Sequence, residues 1–480
     1  MAMEGLEMEA SFEFESNDDF CDLILSRFSN SSNENHQHVC AVIGAMAQEL
    51  RDQSLPSTPV AYFGASCSSL DRISSEPDPP PHLLDALLTI LSLLLPRISP
   101  PILNKKKEFL SGLLIRVLRI PSLTPGAVTF GLNCVSHLVV VRNAVNWSDV
   151  SNLFGFILGF AIDSRPKVRR QSHICLRDVL LKVQGTSLLP SASEGITNVL
   201  EKSLLLAGGS NPTATERPKG AQEVLFILEA LRECLPLMSM KYITNILKYY
   251  KTLLELHQPV VTKRITDSLN SLCLHPTVDV SAEVLLDLLC SMALSFSTSE
   301  TSADGLAFTA RLLNVGMQKV YNVNRQICVV KLPVAFNALK DIMLSDHEEA
   351  IRAAQDAMKN LISSCIDEDL IRKGVDQIRT TENVEARRSG PTVVEKLCAI
   401  IESLLDYHYT AVFDLAFQVV SAMFGKLGIF ELLDLIEFPL HSSFDMEISS
   451  YFLKGALNSL ANMQKLPDED FPFERVFFLS

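Results

Sequence analysis

The sequence predicts an all-α protein, an α-solenoid of HEAT/armadillo-like helical hairpins. Three observations lead there. Amphipathic blocks of three to five helical turns recur along the chain, parted by short runs of Pro, Gly, Ser, Asn or Asp, and alternating β-type runs are scarce. The chain has 480 residues, 47% of them hydrophobic, which is too long for one core because single cores stop growing at roughly 250–300 residues. Two stretches, Asp163-Ser-Arg-Pro-Lys-Val168-Arg169 and Asp346-His-Glu-Glu-Ala-Ile351-Arg352, share the pattern D-x-x-x-x-[VI]-R between an apolar block and the next one. In a HEAT-type hairpin the Asp can cap the second helix, the β-branched residue packs inward, and the Arg can reach the neighbouring repeat's Asp.

The elements follow in chain order. The first helix is expected over 18–29, with Asn17 or Asp18 as its cap. Further helices are expected over 38–51, 59–73, 83–95, 106–120, 126–142, 148–162, 167–183 and 193–207. The segment 83–95 is the most apolar of these. Asp85 interrupts it and Pro96 closes it, so it falls short of the ~18–20 apolar residues of a membrane span and reads as a core helix. The series continues over 221–235, 240–256, 261–274, 282–296, 305–320, 326–343, 347–366, 393–405, 410–427 and 447–463. Within 347–366, Ile351, Ala354, Met358, Leu361, Ile362 and Cys365 fall on one face. Val412, Leu415, Val419 and Met423 do so within 410–427.

Stretches 74–82, 207–220, 297–304 and 380–391 interrupt the pattern, and none has the composition of an interdomain linker. The expected organisation is a disordered acidic segment 1–16, helical repeats over 17–206, a mobile loop 207–220 and helical repeats over 221–379. A loop 380–391, a further helical region 392–466 and an irregular tail 467–480 follow. The tail ends on exposed Phe and Leu where a terminal repeat needs a polar face, and it reads as the end of a truncated or alternatively terminated product. One continuous solenoid is expected, articulated near 207–220 and 380–391.

Composition excludes several function classes. The net charge of −14 argues against nucleic-acid binding through bulk charge and leaves room only for local basic patches. The acidic first twenty residues lack the basic and apolar regions of a secretory signal. Eleven cysteines are scattered without a C-x-x-C pair or zinc spacing, and read as buried apolar thiols. His36-Gln-His38 is the one close histidine pair and reads as a solvated capping region rather than a metal site. There is no phosphate loop, nucleophile elbow or zincin motif. The reading is therefore of a protein that is not an enzyme, with no cofactor, metal or small-molecule substrate and no membrane span.

Two basic clusters stand out from the acidic background. Arg165, Lys167, Arg169 and Arg170, with Arg177 one helical stretch on, are candidate RNA or partner contacts by charge. Val168, Cys175, Val179 and Val183 form the expected buried stripe, with Arg170, His173 and Arg177 opposite. Lys105, Lys106 and Lys107 form the second cluster, at the expected start of a helix. Neither is interleaved with aromatics along the chain, which gives base stacking little support.

Two segments carry a family resemblance. Arg165-Pro-Lys-Val-Arg-Arg-Gln-Ser-His-Ile-Cys-Leu-Arg-Asp-Val-Leu180, following 152–163, resembles the N-terminal repeats of the ribosomal RNA-processing protein 12-like family, HEAT-repeat factors of pre-ribosomes. Leu404-Leu-Asp-Tyr-His-Tyr-Thr-Ala-Val-Phe-Asp-Leu-Ala-Phe-Gln-Val-Val-Ser-Ala-Met-Phe424 is similar to the start of that family's central helical domain. The resemblance runs over about 15–470. It implies a non-catalytic scaffold in the nucleus and nucleolus, supporting pre-rRNA processing and subunit maturation and export. Its implied partners are pre-ribosomal particles, pre-rRNA and assembly or export proteins. An importin-type nuclear transport receptor, or another protein-binding armadillo-like scaffold, is the alternative that a helical solenoid allows. Binding to a GTP-loaded small GTPase and a basic peptide would distinguish the receptor.

Overall fold

A computed structural model describes residues 19–141, 146–208, 216–256, 258–276, 278–296, 303–366 and 370. Among these residues there are sixteen α-helices, three short 3-10 turns and no strand. The helices expected over 393–405, 410–427 and 447–463, the loop 380–391, the tail 467–480 and the segment 1–16 lie outside the described residues.

By packing, the chain divides into two compact units, Met1–Tyr242 and Ile243–Ser480. In the first, α1 (Phe20–Phe28) pairs with α2 (Glu34–Asp52), α3 (Pro59–Ser74) with α4 (Pro81–Leu94) and α5 (Pro100–Leu118) with α6 (Pro125–Val140). Next, α7 (Ser151–Phe160) pairs with α8 (Pro166–Lys182) and α9 (Leu189–Gly208) with α10 (Glu216–Cys234). The hairpins stack in two layers. The even helices α2, α4, α6, α8 and α10 pack each on the next, and the odd helices α3, α5, α7 and α9 do the same more sparsely. Short connections make hairpin partners antiparallel, so the even helices begin on one edge of the stack and the odd helices on the other.

The second unit holds α12 (Pro259–Leu274), α13 (Ala282–Phe296), α14 (Ala303–Val323), α15 (Arg325–Met343) and α16 (Glu348–Cys365). In it α14 packs on α12 and α16, and α15 packs on α13, α14 and α16. The remaining helix, α11 (Met240–Leu254), spans the division between the units.

Helix starts follow known stereochemistry. Helices α3, α4, α5, α6, α8 and α12 open on a proline, whose missing N–H is unpaired at that position anyway. The first helix is capped by Asp19, one or two residues beyond the expected cap, and its carboxylate accepts from the Cys21 N–H at 3.0 Å. The Thr124 hydroxyl caps α6 by accepting from Ala127 N–H at 3.1 Å and donates to the Asp85 carboxylate at 2.5 Å, which joins α6 to α4.

Among the boundaries that differ from expectation, three move the residues singled out by sequence. α2 begins at Glu34 rather than residue 38, because Asn33 supplies the cap, so His36 and His38 are helical rather than in a capping region. α5 begins at Pro100 rather than residue 106, so the lysine triplet stands in its second turn. The loop expected over 207–220 is narrower, since α9 runs through Gly208 and α10 starts at Glu216.

The cores are built of Leu, Ile, Val and Phe from the facing layers. α4 is buried almost all round, from Leu84 to Leu91 and at Leu94, as its near-continuous apolar sequence requires. No described helix is long and apolar enough to cross a membrane. Salt bridges join helices of the same layer at the rim: Arg116 to Asp71 between α5 and α3, Arg177 to Glu233 (3.3 Å) between α8 and α10, and Arg311 to Glu349 (2.9 Å) between α14 and α16. These pairs are about half exposed, so each contributes roughly 0–1 kcal/mol and chiefly fixes register.

Candidate functional site

The basic residues heading α8 have distinct environments. Arg165 is the N-cap residue, and its guanidinium donates to the Asp163 carboxylate through Nε (3.0 Å) and through a second nitrogen (2.9 Å). Its backbone N–H donates to the same carboxylate at 2.8 Å. Burial pushes the Asp163 carboxyl up, but these bonds and the charges of Arg165 and Arg169 outweigh burial and hold it below the usual carboxylate range. Arg169 turns inward. Its side chain is 12% exposed, donates to the Asp163 carbonyl at 2.9 Å, and lies 3.7 Å from the centroid of the Phe226 ring on α10. Lys167 and Arg170 stand exposed. Arg177 spends its guanidinium on Asp178 and Glu233. Of this cluster, Lys167 and Arg170 are the cations that present charge to solvent without an ion pair among the described residues.

The repeat pattern is realised only in part, since Asp163 makes no side-chain cap on α8, whose N-cap residue is Arg165, and Arg169 reaches Phe226 and Glu229 (4.0 Å) of the next hairpin rather than an Asp there. In the first copy Val168 is fully buried and Arg169 bridges α8 to α10. In the second, Ile351 is only half-buried, and Arg352 is exposed and pairs with Glu348 of its own helix. Arg311, one helix pair earlier, makes the inter-repeat bridge there instead.

His173 departs from expectation. It is buried rather than on the solvent face, its Nε2 standing 3.0 Å from the Ala161 carbonyl between α7 and α8. The wheel places it opposite Val179, but two layers of neighbours enclose α8 on more than one side. Burial pushes its imidazole below the ordinary histidine range, and the hydrogen bond and nearby Glu229 oppose this only in part. A histidine with a lowered folded-state pKa binds fewer protons folded than unfolded, so stability falls as pH drops below the unfolded value of about 6.5. His137 adds to the same slope, burial again holding it down. His173→Gln is expected to shrink the loss of melting temperature between about pH 7.5 and about pH 5.5. An unchanged loss would rule out this titration.

Lys105, Lys106 and Lys107 lie on α5, in the odd layer, whereas the α8 cluster heads an even helix. The two groups therefore sit on different layers and are not brought together. Lys105 and Lys106 are exposed. Lys107 is half-buried, its ammonium destabilised by burial and favoured by Asp149. Phe109 stands beside them at 47% exposure, the one aromatic among the exposed large apolar side chains of the described residues.

Nucleophilic and metal chemistry find no support in these surroundings. Burial pushes the Cys67 and Cys175 thiols up to about 12, far from a reactive thiolate. His36 Nδ1 contacts the Ser31 hydroxyl at 2.7 Å, and the His38 ring packs on His82 at 4.9 Å. No group of three or more side chains that could hold a metal stands together among the described residues.

Comparison with known proteins decides the family. Residues 6–280 match the family described as RRP12-like, N-terminal HEAT repeats. The chain belongs to the RRP12-like family. Residues 344–476 also match the description ribosomal RNA-processing protein 12, HEAT repeats, so each match covers one of the two segments that carried the resemblance. An RRP12-like protein of Gallus gallus is 23% identical over 429 residues, taking in 84% of this chain and 30% of the relative. The Homo sapiens RRP12-like protein is 21% identical over 415 residues, with the same coverage. That of Drosophila melanogaster is 19% identical over 422 residues, with 82% and 29% covered. The chain thus spans about three tenths of the length of the curated relatives it matches.

Within this RRP12-like framework, sequence reasoning passed over Phe109. A Phe in an apolar helix reads as core, and a helix started at residue 106 leaves Lys105 out of helical register with it. The signal that could have found it is the proline pair Pro100-Pro101, which starts α5 a turn and a half earlier.

Proposed function

We propose that this chain is a non-catalytic helical-repeat scaffold of ribosome biogenesis, acting in pre-rRNA processing and in maturation or export of pre-ribosomal subunits. The observation that carries the reading is the RRP12-like match, which extends over most of the first unit and resumes across 344–476. The physical character of the chain agrees with it. Stacked hairpins offer extended surfaces rather than a pocket, and the exposed cations Lys167, Arg170, Lys105 and Lys106, without an ion pair among the described residues, offer phosphate contacts on an otherwise acidic protein. On this reading the partners are pre-ribosomal particles, their RNA and assembly or export factors, met in the nucleus and nucleolus.

The test is sedimentation of nuclear extract from cells carrying the tagged chain. The chain is expected to comigrate with pre-ribosomal particles and to leave them as salt is raised. Migration only as free protein at low salt would overturn the reading.

A further inference from the structure

We propose that the solvent face of α5 is a stacking platform for single-stranded RNA, with Phe109 receiving a base and Lys105 and Lys106 receiving the flanking phosphates. The inference rests on the proposed RNA-associated role and gives it a site. Helical spacing makes Phe109 the neighbour of Lys105 (four residues before) and of Lys106 (three before), and all three side chains are exposed. One turn on, Gly112 has open space where a side chain would stand, so nothing from that position covers the ring. Neither lysine is held in an ion pair among the described residues.

Trp147 is an aromatic near α5 that does not belong to this platform. It belongs to the 3-10 turn Trp147–Asp149 that leads into α7, the next helix of the same layer. It is half-buried, with one edge against Phe154 at 5.4 Å between ring centroids. Asp149 of that turn lies within electrostatic range of Lys107, which helical spacing sets about 160° around α5 from Phe109, so the turn flanks the other side of the helix. Glu108 and Asp149 are the acidic residues of this stretch, against three lysines.

An exposed ring between cations suits nucleotide recognition, because stacking accepts any base while the cations track the backbone. Duplex RNA hides its base faces, so the surface discriminates for single strands. A protein partner would leave the lysines to acidic side chains and is separable by experiment.

The full chain is titrated with a uridine oligonucleotide of about 12 nucleotides, with a duplex RNA of equal length, and with polyglutamate. Each probe is end-labelled, so that binding is read as a rise in fluorescence anisotropy. The oligonucleotide is expected to bind and the other two probes to show no rise in anisotropy. Phe109→Ala is expected to weaken oligonucleotide binding by about 5- to 100-fold without changing the thermal melt. Phe109→Tyr retains binding. Lys105→Ala with Lys106→Ala lowers the slope of log affinity against log salt by about 1.4.

Phe109→Ala binding within about twofold of the unaltered chain, equal binding of the duplex, or binding of polyglutamate alone would each defeat the proposal. Particle association and this site fail separately. Comigration with unchanged Phe109→Ala binding removes the site alone, and oligonucleotide stacking without comigration removes the cellular role alone.

Discussion

Phe154→Ala is expected to destabilise the first unit by about 4 kcal/mol, the cost of deleting a large aromatic from a packed interior. Phe154 is almost wholly buried on α7. It packs edge-on to Trp147 at 5.4 Å between centroids, and α9 approaches so closely that a side chain at Gly195 would meet the ring at 3.2 Å. It therefore holds three things together: its own helix, the turn before it and the following hairpin. For a unit of this size each kcal/mol moves the melting temperature by about 2–4 °C, so a drop of roughly 8–16 °C should appear in thermal denaturation followed by circular dichroism. Repeat proteins couple chiefly to nearest neighbours, so proteolytic sensitivity should rise first around α7 and α9. Leu181→Ala, at a position 49% exposed on α8, serves as the control and should fall within about 0.5 kcal/mol of the unaltered chain. If the two variants melt together, the ring is not the keystone of this interface.

Arg169→Ala ranks second, with an expected loss of about 3 kcal/mol. A charge-assisted hydrogen bond contributes about 1.5–3 kcal/mol and a desolvated cation–π contact about 2, and the two are not additive. The substitution removes the contact with the Phe226 ring and leaves the Asp163 carbonyl without that donor. Arg169→Lys should recover little, because an ammonium cannot lie flat on a ring while also reaching the carbonyl as a planar guanidinium does. Arg170→Ala, next along the chain but exposed, should leave stability within about 0.5 kcal/mol and weaken RNA binding if that cation meets phosphate. The reverse pattern, Arg169→Ala harmless to folding but damaging to RNA binding, would return Arg169 to the binding surface.

The contrast between Arg169 and Arg170 shows how a charge cluster divides. Charge alone treats Arg165, Lys167, Arg169, Arg170 and Arg177 as one group. Folding commits Arg165 to Asp163, Arg169 to α10, and Arg177 to Asp178 and Glu233, which leaves Lys167 and Arg170 free of ion pairs among the described residues. The committed residues fix α8 against its neighbours, and the free ones are the remaining electrostatic resource of that cluster.

Much of the architecture is written in local chemistry. Apolar periodicity places the helices, prolines and Thr, Asn or Asp caps start them, and short connections make neighbours antiparallel, since all of these act within a few residues of chain. The same local information explains why Ala354, Met358, Leu361 and Ile362 are buried on α16. What it could not supply is which sides of a helix the stack covers. A wheel assigns α8 one buried stripe, yet His173 is enclosed as well, because a helix inside a two-layer stack meets neighbours on several sides. Nor could it bring Phe109 into register with Lys105, which needs the true start of α5. Which cation is bound to a partner and which ring is left bare depends on residues tens of positions away, and such contacts exist only after the hairpins have stacked.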